Sequence, residues 1–194
     1  MRRTFYKLVS LAQLTVSAHT LPAAPPTPTP ILQTLYGVWI NPFAQKSPRA
    51  FVFLFLNTTC PIANSYAPEI ARLATDYTPR GVSIFLVYPD PSENSATIQS
   101  HLLDFSLPKS AFRDPTHTFA KYTGSTVTPE AAVYSSSLEL VYRGRIDNRH
   151  ISFGQRRLSA TKHDLAEAIE STLTGTAIPL TRTPAIGCYI HDLR

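Results

Sequence analysis

Two thiols are the strongest nucleophiles in this 194-residue chain, Cys60 and Cys188. Cys60 follows an apolar run at residues 50–56 (AFVFLFL) and precedes Pro61 and a helically spaced segment. A cysteine between a strand end and a first helical turn faces unpaired amide N–H groups and the positive end of the helix dipole. Both stabilise a thiolate. A thiolate attacks disulfides, or peroxides to give a sulfenic acid. The competing reading is a buried, inert thiol, common in cores. Thr58 and Thr59 before the cysteine and Pro61 after it point to an exposed turn. Thr58 or Thr59 is placed to cap the helix, and the Thr59 hydroxyl is equally placed to donate to the Cys60 sulfur.

Cys188 lies 128 positions later, in Gly187-Cys188-Tyr189-Ile190. Gly187 permits close backbone approach. Three outcomes are open from spacing alone. Cys188 resolves a sulfenic acid or mixed disulfide on Cys60, or forms a static disulfide that pins the tail, or never meets Cys60. Bridging requires Cα atoms within ~7 Å, which sequence does not fix. Two cysteines cannot make an all-Cys zinc site. His101, His117, His150 and His163 show no metal-ligand spacing and read as surface or capping residues. No metal and no organic cofactor is expected.

The elements that would position Cys60 follow from periodicity. The unbroken apolar run at 50–56 predicts a central strand buried on both faces. Ile62, Tyr66, Ile70 and Leu73 recur at helical spacing, with Pro68 expected to kink that helix. Residues 82–88 (VSIFLVY) form a second buried strand, 93–105 a helix, 111–114 a short strand, and 115–122 a short helix ended by Gly124. Residues 131–134 and 138–142 pair as a hairpin around Ser135-Ser136-Ser137, and 161–173 form the last helix. Strand–helix–strand order favours a parallel core, and the hairpin adds an antiparallel edge. The fold class is therefore three-layer α/β. Asn64 and Tyr66 are candidates to line a groove. Glu69 reads as a solvated helix residue or a proton shuttle. Arg143, Arg145, Asp147 and Arg149 read as an exposed, salt-bridged loop.

Composition narrows the class. Hydrophobic residues make up 43% and charged residues 16%, enough for one well-formed core. The net charge of +5 comes from 18 Lys+Arg against 13 Asp+Glu; without Arg2, Arg3 and Lys7 it is 15 against 13, or +2. Nucleic-acid binding, which wants a clustered basic patch, is not expected. Residues 1–18 have the form of a secretory signal peptide, with a basic start, a short apolar stretch and Val16-Ser17-Ala18 at the cleavage point. Residues 19–30 read as a Pro-rich linker, with five prolines in 22–30. The domain is expected over 31–175, with a C-terminal tail, 176–194, carrying Cys188. The expected location is periplasmic or secreted, with no stable membrane insertion after cleavage.

Strand–Cys60-Pro61–helix followed by Pro68-Glu69 resembles the active-site segment of thioredoxin-like proteins. The likeness is to the redoxin (AhpC/TSA-type) and periplasmic thioredoxin-like groups. Thr128-Pro129 matches the cis-proline that faces the active-site cysteine there. The segments at 127–131 and 142–147 are also similar to those of exported bacterial redoxin-domain proteins. The resemblance implies a thioredoxin-like sandwich, a central mixed sheet flanked by helices. It implies thiol oxidoreductase chemistry at Cys60 on a protein disulfide or hydroperoxide, with electrons from a thiol donor protein. Thr58, Thr59 and Pro61 would surround the reacting sulfur, and Thr128-Pro129 would pair with an extended substrate. The chain departs from the pattern at Ala63, where a Cys-x-x-Cys site has its second cysteine. It departs again at Asn57 and Phe53, where a peroxiredoxin carries Thr and Pro. A Sco-like copper site is poorly served by one thiolate. Ala63 also suits the alternative, a redox-inactive module that docks an extended peptide.

Overall fold

The computed structural model describes residues 30–191 and 193. The expected leader (1–18) and nearly all of the linker (19–30) lie outside the described residues. Strand β1 (Leu32–Thr34) and β2 (Trp39–Ile40) form an N-terminal hairpin that the sequence pattern did not reveal. The apolar run becomes β3 (Ala50–Phe55), buried at every position. Alternation along β3 feeds two cores. Val52 and Leu54 enter one cluster, and Phe51, Phe53 and Phe55 enter the other.

After β3 come α1 (Pro61–Ser65) and α2 (Ala67–Tyr77), then β4 (Val82–Tyr88) and α3 (Ser95–Asp104). They are followed by β5 (Ala111–Arg113), α4 (Thr118–Thr123), β6 (Val127–Thr128) and β7 (Glu130–Ser135). The chain continues through β8 (Leu140–Gly144), β9 (His150–Ser152), β10 (Gln155–Arg156), α5 (Asp164–Thr174) and β11 (Cys188–Tyr189). The main sheet has the order β2-β1-β5-β4-β3-β7-β8. β3 pairs in parallel with β4 and antiparallel with β7, so the sheet is mixed and β3 is central. Side chains of α1, α2, α3 and α5 pack on one face, while Phe119 and Ala120 of α4 pack on the other. The expected three-layer α/β arrangement is what the chain adopts. No helix among the described residues is long and apolar enough to cross a membrane.

Two local expectations are corrected. The kinked helix is two helices, broken at Tyr66. Pro68 has no N–H for the Asn64 carbonyl. The Tyr66 N–H instead reaches back three residues to the Ala63 carbonyl at 3.0 Å, and its own carbonyl starts α2 by accepting from Ile70 N at 2.9 Å. Neither Thr58 nor Thr59 caps α1; the N-cap is Cys60, whose side chain makes no capping bond. Asn57 accounts for this. Its Oδ1 accepts from the Thr59 backbone N–H at 2.9 Å and from the Thr59 hydroxyl at 2.7 Å, a turn one step upstream.

Candidate functional site: a two-cysteine contact at the cis-proline

The loop between β3 and α1 is tied down on three sides. Leu56 N–H donates to the Val87 carbonyl at 2.9 Å, extending the sheet past β3. The Asn57 amide donates to Asp90 at 3.1 Å, and Thr58 N–H donates to Glu93 Oε1 at 2.5 Å. The Asn64 side chain donates to the Thr58 carbonyl at 2.9 Å and meets His101 Nε2 at 2.8 Å, while His101 Nδ1 meets the Tyr88 hydroxyl at 2.9 Å. His101 is therefore a buried relay between two elements, not the surface residue that its spacing suggested. Burial holds its imidazole below the usual range, partly offset by Asp104. Burial also pushes the Glu93 carboxyl up, against the opposing bonds from Thr58. Glu93 Oε2 has no partner.

Cys60 is only 1% exposed, which corrects the expected open turn. Its cover comes from the far end of the chain. Cys188 Sγ stands 2.6 Å from Cys60 Sγ, and both thiols are free. The Cys60 thiol donates to the Thr128 carbonyl at 3.1 Å, and the Thr128–Pro129 bond is cis. The structure thus brings Cys60, Cys188, Thr128 and Pro129 together, with Pro61 opening α1 beside them. Thr58 and Thr59 flank the cysteine in sequence, but their hydrogen bonds run to Glu93 and Asn57 rather than to sulfur. The Cys188 thiol is pushed up to about 12 by burial, then by its hydrogen bond to Cys60, then by Coulombic repulsion from Cys60.

Cys188 is held by a strand. β11 pairs antiparallel with β6, Cys188 opposite Thr128 and Tyr189 opposite Val127. Ile190 N–H donates to the Thr126 carbonyl at 2.9 Å, and the Ile190 side chain is buried in the phenylalanine-rich cluster. Upstream, the tail is anchored along β8. Thr183 N–H donates to the Arg143 carbonyl at 3.1 Å, and the Thr183 hydroxyl meets Tyr142 Oη at 2.7 Å and accepts from Arg145 N–H at 3.1 Å. A cleft of about 640 Å³ opens beside β11, lined by Asn57, Pro89, Asp90, Thr128, Tyr189 and His191 among others.

Glu69 pairs with Arg72 at 2.7 Å on the helix surface. Tyr66 is buried and donates to Asp147 Oδ1 at 2.7 Å. The Arg143–Arg149 stretch is not an exposed loop. Arg145 pairs with Asp164 at 2.8 Å and Arg149 with Asp147 at 3.2 Å, and both carboxylates are buried. His117 is buried, whereas His163 takes the N-cap position of α5 without a side-chain cap bond. Among the described residues, no group of three or more His, Cys, Asp or Glu could hold a metal ion.

No family model matches the chain, and no curated protein matches it. Solved structures do. An uncharacterized conserved protein of Geobacillus kaustophilus aligns with a TM-score of 0.74 at 25% identity, covering 93% of this chain and 97% of that one. A hypothetical protein of Sinorhizobium meliloti aligns at 0.72 and 24% identity, over 82% and 88% of the two chains. A secreted Mycobacterium tuberculosis disulfide oxidoreductase homologous to E. coli DsbE aligns at 0.53 and 14% identity, over 76% and 96%. The fold is thioredoxin-like.

Proposed function

We propose that this chain is an exported thiol–disulfide oxidoreductase in which Cys60 is the nucleophile and Cys188 its partner. The observation that carries the reading is the placing of Cys60 Sγ between Cys188 Sγ and the Thr128 carbonyl, at the cis-proline. A Cys60 thiolate attacks one sulfur of a substrate protein disulfide. The Cys60–substrate bond forms as the substrate's own S–S bond breaks, and the leaving sulfur takes up a proton. Two of the causes that hold the Cys188 proton, its bond to Cys60 and the repulsion from Cys60, vanish once Cys60 is in the mixed disulfide. Cys188 then loses its proton and attacks Cys60. The Cys60–Cys188 bond forms and the second substrate sulfur leaves as a thiol. Two electrons pass from the protein dithiol to the substrate, and a thiol donor protein restores the dithiol.

Export belongs to the same reading, supported by the leader-like residues 1–18. An extracytoplasmic compartment also favours disulfide chemistry. A second reading, a docking module without turnover, draws on the burial of Cys60 under the tail. One experiment separates them. Oxidised full-length protein is mapped by mass spectrometry, and the wild type, Cys60→Ser and Cys188→Ser are compared in insulin-reduction and peroxide-consumption assays. An intramolecular Cys60–Cys188 link with insulin reduction lost in Cys60→Ser is expected. Two free thiols after oxidation, or links only between molecules, would sink the resolving role of Cys188, and a wild type that neither reduces insulin nor consumes peroxide would sink the oxidoreductase reading.

A further inference from the structure

We infer that the tail segment 186–190 is an internal stand-in for the substrate. The site takes an extended polypeptide of the form Gly-Cys-x-aliphatic, with x free to vary, and the tail must vacate it first. The inference rests on the oxidoreductase reading above and names that site's substrate class. β6 ends at the cis-proline peptide, the edge available for strand-like pairing beside Cys60, and β11 fills it. The position opposite Thr128 holds a cysteine whose sulfur meets Cys60, as an attacked substrate sulfur must.

The residues around that cysteine show what the groove accepts. A Cβ on Gly187 would overlap the Thr128 carbonyl and stand 3.0 Å from Pro129 N, all backbone that cannot swing aside. Gly187 is not held at a left-handed angle, so the demand there is for space alone. Tyr189 follows the cysteine and borders the 640 Å³ cleft with Asn57, Pro89 and Asp90, but at 61% exposed it lies at the surface rather than in a socket. Ile190 next fills an apolar socket and is 3% exposed. Three positions therefore carry a requirement: no side chain, then a reacting sulfur and, two places on, an aliphatic plug. The Thr183 anchor on β8 lies upstream of this stretch and need not break when β11 lifts.

In the covalent step a substrate of this form binds along β6 and Cys60 attacks its cysteine sulfur. The new S–S bond replaces the bond to the leaving thiol, which departs with the electron pair and takes a proton. When the tail returns, the Cys188 thiolate attacks Cys60: the Cys60–Cys188 bond forms as the Cys60–substrate bond breaks, and the substrate cysteine leaves the groove as a thiol.

Full-length Cys188→Ser protein tests this with two probes. One is a synthetic peptide of residues 185–191 whose cysteine carries a 2-thiopyridyl disulfide. The other is the same peptide with Gly187→Val. Valine favours extended backbone, so any loss comes from the overlap with Thr128. The glycine peptide is expected to label Cys60 about ten- to a hundredfold faster, the range set by an overpacked contact. In the chain itself, Gly187→Val on the Cys188→Ser background should raise iodoacetamide labelling of Cys60 by a similar factor, with the far-UV spectrum retained. Equal rates for the two peptides overturn the inference even if insulin reduction persists. Selective peptide labelling in a protein that never reduces insulin would uphold the groove's preference and remove only the turnover.

Discussion

Replacing Ile190 by alanine should loosen the tail, which opens before the rest of the domain. Ile190 is 3% exposed, sits in the cluster with Phe53 and Phe119, and donates its N–H to the Thr126 carbonyl at 2.9 Å. Ile-to-Ala changes at buried sites cost ~2–5 kcal/mol. At a strand of two residues, where neighbours relax into the gap, the lower part of that range applies, ~2–3 kcal/mol. At ~1.36 kcal/mol per tenfold, opening of β11 becomes ~30- to 160-fold more frequent. Hydrogen exchange reads this directly at the amide of Ile190, which donates to the Thr126 carbonyl. The control is Ile169→Ala on α5, a fully buried site in the other core cluster. That change destabilises the folded domain but leaves the free energy of tail opening alone. Tail protection should therefore fall in Ile190→Ala and stay level in Ile169→Ala, while protection of the β3 amides falls in both. If Ile169→Ala lowers tail and β3 protection together, β11 opens only when the whole domain unfolds. The idea of a separately releasable tail is then wrong.

Other outcomes are equally specific. Asn64→Ala removes the partner of His101 Nε2 and of the Thr58 carbonyl, so urea denaturation should show a loss of ~1–3 kcal/mol. His101 is held below the 6.5 of a free imidazole, so the unfolded chain takes up its proton first. Its contribution to stability is complete above pH 6.5 and is lost as pH falls through the lower folded value. The stability of the wild type minus that of His101→Phe should show this slope between pH 7 and pH 5; a flat difference counts against burial of the ring. Thr183→Val removes the hydroxyl that joins Tyr142 and Arg145, and should cost ~1–3 kcal/mol. A double-mutant cycle with Tyr142→Phe should be clearly less than additive, since both changes break the same contact.

What the sequence revealed depended on how local the cause was. AFVFLFL announces a central strand because burial on both faces leaves no polar alternation. Cys60-Pro61 announces a strand–helix junction by the same local logic, whereas the place of Thr128-Pro129 was legible only through the family resemblance. The pairing of Cys188 with Thr128 is different. β11 is two residues long, and its partner lies 60 residues upstream. Gly187 was the one trace, a residue without a side chain beside a cysteine. His101 was misplaced because its burial is decided by Tyr88 and Asn64 on other elements. The arginine stretch was misplaced because the carboxylates its arginines pair with, Asp147 within it and Asp164 on α5, are buried. Capping by Thr59 failed through a local competition, because the side chain of Asn57, two residues earlier, takes the Thr59 hydroxyl.

Ala63 gives the arrangement its logic. In a Cys-x-x-Cys site the partner thiol rides on the same helical turn as the nucleophile, so pairing needs no moving part. Here that position is a 3% exposed alanine packed in the core, and the partner arrives on a strand from the far end of the chain. That strand lies along the edge a peptide substrate would use. In the proposed cycle, closing the disulfide and admitting the substrate are therefore mutually exclusive. While both thiols are free, the segment at Cys60 is held by non-covalent contacts, among them its ladder with β6 and the packing of Ile190, which a matching polypeptide can replace. Once the S–S bond forms, no polypeptide competes on those terms, because release then requires reduction. Redox state and access to Cys60 become one variable, set by the seating of β11.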